Sequence, residues 1–405
     1  MFAEHSEFDN FMLVLYLIFK RGGMMAITIY DVLKLEKFKD FKVIAGREGL
    51  TRKIKKIGIL DYERDDLIEE NFVEGEFVVS TLVVIKDDIE ELYKLVERMI
   101  LVGISGLAIK NVYFNTIPDE VIELADRENF PIMIFSNVYF EDLITSVINF
   151  IKQNEENEFL VSKIDSILYS NLDSVVIRKI AYEINNNFKE KNIVAFCKRK
   201  DIQNSIMTEI FTNVENDKSF KIISYKDGYI IINTFEKIDS DKIVGIILRR
   251  LENLGFNLEK YTIGISSLYE RLGELNYSIN ESLYAYKYSM IYKKDISFFN
   301  QIGVNKILLP LLDNQWILKY HDEMIEPLLM YDRKNNTELL NTAIKYIENN
   351  GDIKATSQEL FQHSNTIRYR IEKIYKILSK NCKRESFYEE LALGIRIHNL
   401  LNMDL

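Results

Sequence analysis

Cysteine is nearly missing from this 405-residue chain. Its two copies, Cys197 and Cys382, form no C-x-x-C pair, which excludes a disulfide scaffold or zinc ribbon and fits a reducing cytoplasm. Both read as small hydrophobes rather than reactive thiols. Long apolar runs are also missing. Phe11 to Phe19 is nine residues, against the roughly 20 that a membrane-spanning helix needs, and no other segment comes near that length. The flank before it holds Glu4, Glu7 and Asp9 and no Lys or Arg, the wrong polarity for a signal peptide. There is no surplus of positive charge; the net −10 excludes a chain that coats nucleic acid or anionic membrane indiscriminately. It leaves room for one local basic surface.

Catalytic signatures are lacking as well. There is no P-loop, G-x-G-x-x-G or G-x-S-x-G, and no His between Thr28 and Phe140. Gly103-Ile104-Ser105-Gly106 is a tight turn that fits no phosphate-cradling pattern. His321 and His398 have no acidic or thiol partner at ligand spacing, so neither a metal nor another cofactor is expected. An enzyme in the N-terminal part is the weakest of the competing readings. No internal repeat or low-complexity tract is visible.

What is present is the material of a folded, multidomain protein. Apolar residues make up 47% and aromatics 12%, and the length corresponds to about three domains at roughly 150 residues each. Residues 1–25 read as an upstream extension, with translation starting at Met24 or Met25. Residues 26–139 alternate short apolar runs with amphipathic helices. Lys42-Val43-Ile44, Ile57 to Leu60, Phe77 to Ser80, Gly106 to Ile109 and Ile132 to Phe135 read as strands. Glu90 to Leu101 and Asp119 to Glu128 read as helices, and Thr28 to Leu35 as a short helix opened by a Thr cap. That alternation predicts an α/β domain whose sheet has parallel pairings and is covered on both faces.

Residues 140–170 form one helical stretch with an apolar stripe at Leu143, Val147, Phe150 and Ile151. It is either a connector packed on its neighbours or a dimer helix between sensor and output. Residues 171–300 read as an α+β domain of ferredoxin-like type. Its strands are Asn192–Cys197, Phe220–Ser224, Tyr229–Asn233 and Thr262–Ser266, with a hairpin at Lys226-Asp227-Gly228 and helices at Asp239–Leu254 and Leu272–Met290. Residues 301–405 are all helix by pattern: Trp316–Tyr331, Glu338–Glu348, Ile353–Phe361, Asn365–Leu378 and Phe387–Leu401. Ser386 and Glu389 make a capping box for the last, and Trp316 reads as a core anchor.

Residues 352–378 carry the clearest signal. Asn350-Gly351 ends one helix with residues suited to a left-handed cap, and Asp352 caps the next. Only Gln362 and His363 separate the end of that helix from Ser364, which reads as the cap of a basic helix. This is the layout of a helix-turn-helix. Ile367, Ile371, Ile374 and Leu378 form a buried stripe at i, i+4, i+7, i+11. At about 100° per residue Asn365, Tyr369 and Lys376 point away from it, with Thr366 and Lys373 beside them and Arg368 and Arg370 on the flanks. Asn can pair with adenine and Thr offers a hydroxyl and a methyl, while Arg and Tyr can grip phosphates. The candidate DNA-contacting residues are Lys354, Gln362, His363, Ser364, Asn365, Thr366, Arg368, Tyr369, Arg370 and Lys373. His363 is alternatively a turn residue satisfied by backbone, and the two arginines alternatively solvate a surface helix.

The run Leu360-Phe361-Gln362-His363-Ser364-Asn365-Thr366-Ile367-Arg368-Tyr369-Arg370-Ile371 resembles the C-terminal helix-turn-helix of the PucR/CdaR regulators. Upstream, Ile263-Gly264-Ile265-Ser266 with Glu281-Ser282 is similar to their GGDEF-like middle domain. Thr28 to Leu33 and Phe72 to Thr81 resemble their N-terminal PucR domain. The resemblance implies a sensor domain, a middle domain and a DNA reader, often an activator of catabolic genes. Here Ser364 stands where a basic residue or Pro is common, and Phe361 where the general helix-turn-helix consensus has Gly, although bulky residues are usual at that place in the regulators it resembles. A cyclase of the middle fold needs a G-G-[DE]-E-F hairpin and a second acid. This hairpin, Tyr225 to Tyr229, has the single carboxylate Asp227, so the domain reads as non-catalytic.

The expected partners are double-stranded DNA, an unknown small-molecule effector and a second copy of the chain, with no membrane. Two half-sites about one helical turn apart supply the specificity that a single recognition helix lacks. Ser80, Thr81 and Lys110, at strand ends, are the candidate effector-binding residues by analogy with open α/β sheets. The alternative is a ligand- or protein-binding adaptor that never touches DNA.

Overall fold

The computed structural model describes residues 27–63, 67–114, 116–201, 218–239, 242–380 and 382–402. The upstream extension, with Met24 and Met25, lies outside them. The described residues divide into two compact units, one up to residue 166 and the other from residue 167 onward.

The first unit is built on a five-stranded sheet of order β1-β5-β4-β3-β2: β1 (Lys42–Ala45), β2 (Lys56–Leu60), β3 (Glu76–Ser80), β4 (Gly106–Lys110) and β5 (Ile132–Phe135). β2 to β5 are parallel, as the alternation of strands and helices predicted, whereas β1 runs antiparallel to β5. All five residues of β3 are buried, so its neighbouring side chains feed opposite faces. Val78, Leu107, Ile109 and Ile132 pack with α2 (Ile68–Asn71), α3 (Glu91–Val102) and α4 (Asp119–Arg127). Phe77, Val79, Ala108, Met133 and Phe135 form the other core with α1 (Ile29–Val32) and with Leu143 and Val147 of α5 (Phe140–Tyr169). The expected Thr cap is a full capping box at Thr28 and Asp31. The N-terminal half of α5 is thus a layer of this unit's own core.

In the second unit, α6 (Ser174–Ile184) precedes a sheet of order β10-β9-β6-β8-β7. Its strands are β6 (Lys191–Arg199), β7 (Phe220–Tyr225), β8 (Gly228–Phe235), β9 (Tyr261–Ile265) and β10 (Ile296–Phe298). β6 lies antiparallel between β8 and β9, and β7 and β8 are the expected hairpin. This is the split arrangement of a ferredoxin-like fold with β10 added in parallel beyond β9. α7 (Ile243–Asn253) and α8 (Leu275–Ile291) match the two expected helices. α6 and β10 are additional. Lys226 takes φ +54° in the turn, and Asp227 is ion-paired with Lys198.

The helical end comprises α9 (Asn305–Leu308), α10 (Gln315–Asn335), α11 (Leu339–Glu348), α12 (Ile353–Glu359), α13 (Ser364–Leu378) and α14 (Phe387–Leu401). Met324, Ile325, Leu328, Leu340, Ala343, Ile347, Ile374, Leu378, Leu391 and Ile395 share one core. Two expectations fail here. Trp316 is no core anchor: it sits in the first turn of α10, 67% exposed, with Lys319 over its ring. Ser386 forms no capping box, because its backbone (φ −102°, ψ 2°) is not the extended one that a cap requires. Its hydroxyl donates to Glu390 instead.

Candidate nucleic-acid interface

α12 and α13 are fixed by their punctuation. α11 ends in a Schellman motif: Asn350 N–H donates to Ile347 O at 3.0 Å and Gly351 N–H to Tyr346 O at 2.8 Å. Asn350 and Gly351 sit at φ +51° and +80°. The carboxylate of Asp352 then accepts from Lys354 N at 2.7 Å and Ala355 N at 3.0 Å, opening α12. Lys345 bridges to Glu348 and Glu359, and Asn349 also donates to Glu359, which ties α11 to α12.

The cap of α13 is His363, not Ser364. His363 is extended (φ −72°, ψ 142°) and its Nδ1 accepts from Asn365 N at 3.2 Å. Ser364 is already helical, and its hydroxyl lies 3.1 Å from that of Ser357. With Nδ1 accepting, a neutral His363 ring carries its proton on Nε2, so the residue is both a cap and an outward donor.

The buried stripe is as expected: Ile367, Ile374 and Leu378 are fully buried and Ile371 is half-buried. Opposite it, Asn365, Arg368, Tyr369 and Lys376 are exposed, as are Lys354, Gln362 and His363 nearby; Thr366 is half-buried. The two arginines differ. Arg368 makes no hydrogen bond or ion pair among the described residues. Arg370, on the inward flank, donates from Nη1 to Thr342 Oγ1 of α11 at 3.0 Å. Lys373 is half-buried, its ammonium 5.0 Å from the ring centroid of Tyr331 on α10. Glu372, the one acid of α13, is paired with Arg384 at 2.7 Å. The outward face is therefore cationic and polar, carried by the N-terminal half of α13.

The three effector candidates fare less evenly. Ser80 is fully buried; its hydroxyl donates to Leu60 O at 2.6 Å and accepts from Leu82 N at 2.8 Å, closing the turn after β3. Thr81 and Lys110 are half-buried, and Lys110 stands 5.2 Å from the ring centroid of Tyr139. The analogy behind these residues also weakens. β2 to β5 follow one another in sequence order with their crossover helices packed on one face. The strand-order reversal that opens a ligand crevice in doubly wound sheets does not occur among the described strands.

Sequence spacing missed one pair that folding brings together. His321 of α10 and His398 of α14 stack, with Nε2 of the first 3.0 Å from Nδ1 of the second. Asp322 lies 3.0 Å from His321 Nδ1, and Asn402 reaches the His398 ring at 2.8 Å. Among the described residues no group of three or more His, Cys, Asp or Glu could hold a metal ion. Burial, and then the neighbouring His321, push His398 below its ordinary 6.5. Below 6.5 the unfolded chain therefore takes up a proton that the folded ring resists, so this contribution is intact above 6.5 and lost as pH falls. The expected result is a melting temperature that drops from pH 7 to pH 5, and drops less in His398→Gln. Parallel curves for the two proteins by calorimetry would refute it.

Both cysteines are buried, and burial raises both thiols, Cys382 to about 11, in keeping with inert side chains. No helix among the described residues is long and apolar enough to cross a membrane.

Two family models match this chain. Residues 31–151 match the purine catabolism regulatory protein-like family, and residues 339–397 match the PucR C-terminal helix-turn-helix domain. The second span takes in α11 to α13 and most of α14. Among curated relatives, the purine catabolism regulatory protein of Bacillus subtilis (strain 168) is 31% identical over 33% of this chain and 25% of its own length. The proline-responsive transcriptional activator PutR of the same organism is 31% identical over 29% of each chain. The DNA-binding transcriptional activator AdeR, also from that organism, is 21% identical over 36% of this chain and 35% of its own. The alignments thus span about a quarter to a third of these relatives, all of them named as regulators. The chain carries a PucR-family N-terminal domain at residues 31–151 and a PucR-type helix-turn-helix domain at residues 339–397.

Proposed function

We propose that this chain is a sequence-specific, DNA-binding transcription regulator. It works in the cytoplasm as an effector-responsive activator of catabolic genes, purine-related genes being the first candidates from the family's name. The observation that carries the reading is the outward face of α13. Asn365, Arg368 and Tyr369 are exposed together at the N-terminal half of a helix whose opposite stripe is buried. A helix so presented fits a major groove, with the amide at base edges and the guanidinium at phosphate. Operator recognition uses two copies, since one such helix offers few base contacts.

The middle domain acts in this scheme without catalysis. Its hairpin carboxylate, Asp227, is occupied by Lys198, and no second acid stands in the hairpin. The GGDEF-like reading of that domain rests on the split sheet order and on the run Ile263-Gly264-Ile265-Ser266 at the end of β9. The effector site belongs to the first unit, where Thr81 and Lys110 remain candidates and Ser80 serves the turn.

Genomic binding in the native host tests the reading. Discrete promoter peaks for the wild type, lost in Arg368→Ala, are the expected outcome, and the genes beside the peaks nominate the effector. No peaks under any growth condition would remove DNA as the partner.

A further inference from the structure

Phe361 is the most exposed large apolar side chain among the described residues, at 94%. It closes α12 in a second Schellman motif: its N–H donates to Gln358 O at 3.2 Å, and Gln362 N–H donates to Ser357 O at 2.9 Å. Its φ is +53°, the left-handed position at which glycine is favoured. A phenylalanine here has two unfavourable features, a strained backbone and a ring left in water. Nothing it packs against in the folded chain offsets either.

Its setting says what covers it. Between Met330 and Tyr388, the only other exposed large apolar side chain among the described residues is Tyr369, on the outward face of α13. Along the chain the ring is followed by the exposed polar residues Gln362, His363 and Asn365, whereas a face for a second copy requires a contiguous apolar area. When a helix-turn-helix docks, the N-terminal residues of its second helix meet the base edges. Phe361 lies three residues ahead of that helix, so a helix docked in this way would bring the ring to the DNA strand that borders the groove. That border offers apolar matter: deoxyribose C–H groups, and the methyl of thymine within the groove.

We infer that Phe361 is a DNA contact, its ring packing on the deoxyribose and thymine-methyl edge of the major groove. This rests on the DNA-reading function proposed above and adds an uncharged, apolar component to it. Such a contact releases no counterion, so it changes affinity without changing salt dependence.

The test uses the full chain and a promoter duplex recovered by genomic binding. Phe361→Gly and Phe361→Asn, both compatible with the left-handed backbone, are expected to weaken binding about tenfold. The slope of log affinity against log salt stays that of the wild type, and the melting temperature is unchanged or slightly higher. Phe361→Tyr, which keeps the ring, restores binding. Variants that bind as tightly as the wild type overturn the inference and leave the regulator reading standing. A wild type that binds no promoter duplex overturns both. A shift from dimer to monomer in Phe361→Gly by sedimentation assigns the ring to a second copy and also overturns it.

Discussion

Arg368→Ala is expected to cost about 2 kcal/mol of affinity per half-site and to lower the salt slope by about one per half-site. The folded domain should be unchanged, because Arg368 is exposed and makes no hydrogen bond or ion pair among the described residues. Asn365→Ala should behave differently, relaxing discrimination at one base pair and leaving the slope alone, as loss of a base contact does. Arg370→Ala supplies the internal control. Its guanidinium is bonded to Thr342 at 3.0 Å, so truncation leaves the hydroxyl without that donor and lowers stability by about 1 kcal/mol. Pooling both arginines in one double mutant would mix a binding defect with a folding defect. Titration of each single variant against a promoter duplex at several salt concentrations, beside a melting curve, separates them. Equal slopes for Arg368→Ala and the wild type would exclude a phosphate contact at that position.

The distinction between these arginines shows what the sequence could and could not convey. Both stand on the flanks of the Ile367–Leu378 stripe, and periodicity places them there correctly. Which flank meets a neighbour depends on α11, and nothing local to α13 encodes where Thr342 lies. The same holds for the cap. Ser364 is the stronger capping type, yet the chain turns one residue earlier and His363 adopts the extended conformation. Propensity ranks residues, whereas the Schellman turn at Phe361 sets the phase. Ser386 fails for a related reason: the spacing to Glu389 is right and the backbone angles are wrong.

Elements that announced themselves did so through redundant signals. The parallel strands β2 to β5 are apolar runs separated by amphipathic helices, and both patterns point to one covered sheet. α6 was not among the expected elements, though it was open to reading from Asp173, whose carboxylate accepts from Val175 N and Val176 N, and from the i, i+4, i+7 positions of Ile177, Ala181 and Ile184. β10 was not, since three residues are too few to show a period of two. The pairing of His321 with His398 lay beyond reach for a topological reason. The residues are 77 positions apart and meet because α10 and α14 share a core. The outward face of α13 was the most legible part of all, because a helix with one buried stripe defines its exposed arc by subtraction.

Glycine at position 264 carries the largest expected effect on folding. It lies mid-strand in β9, where a residue with a side chain would ordinarily pack better. α8 comes so close that a Cβ at 264 would sit 2.1 Å from Tyr286 N and 2.2 Å from Ser282 O, both backbone atoms of the helix. Neither can swing aside as a flexible side chain could. Gly264→Ala must push the helix off the sheet, in a region where Ser278, Ser282 and Ser289 are fully buried. A cost of about 3 kcal/mol or more is expected, enough to unfold a substantial part of the second unit. Gly245→Ala is the matched comparison, since that glycine is exposed in the first turn of α7 with nothing within 4 Å of its would-be Cβ. There alanine should raise stability by about 0.5–1 kcal/mol through helix propensity alone. Denaturant melts of the two variants should move in opposite directions. A Gly264→Ala protein as stable as the wild type would mean that β9 and α8 do not pack this closely.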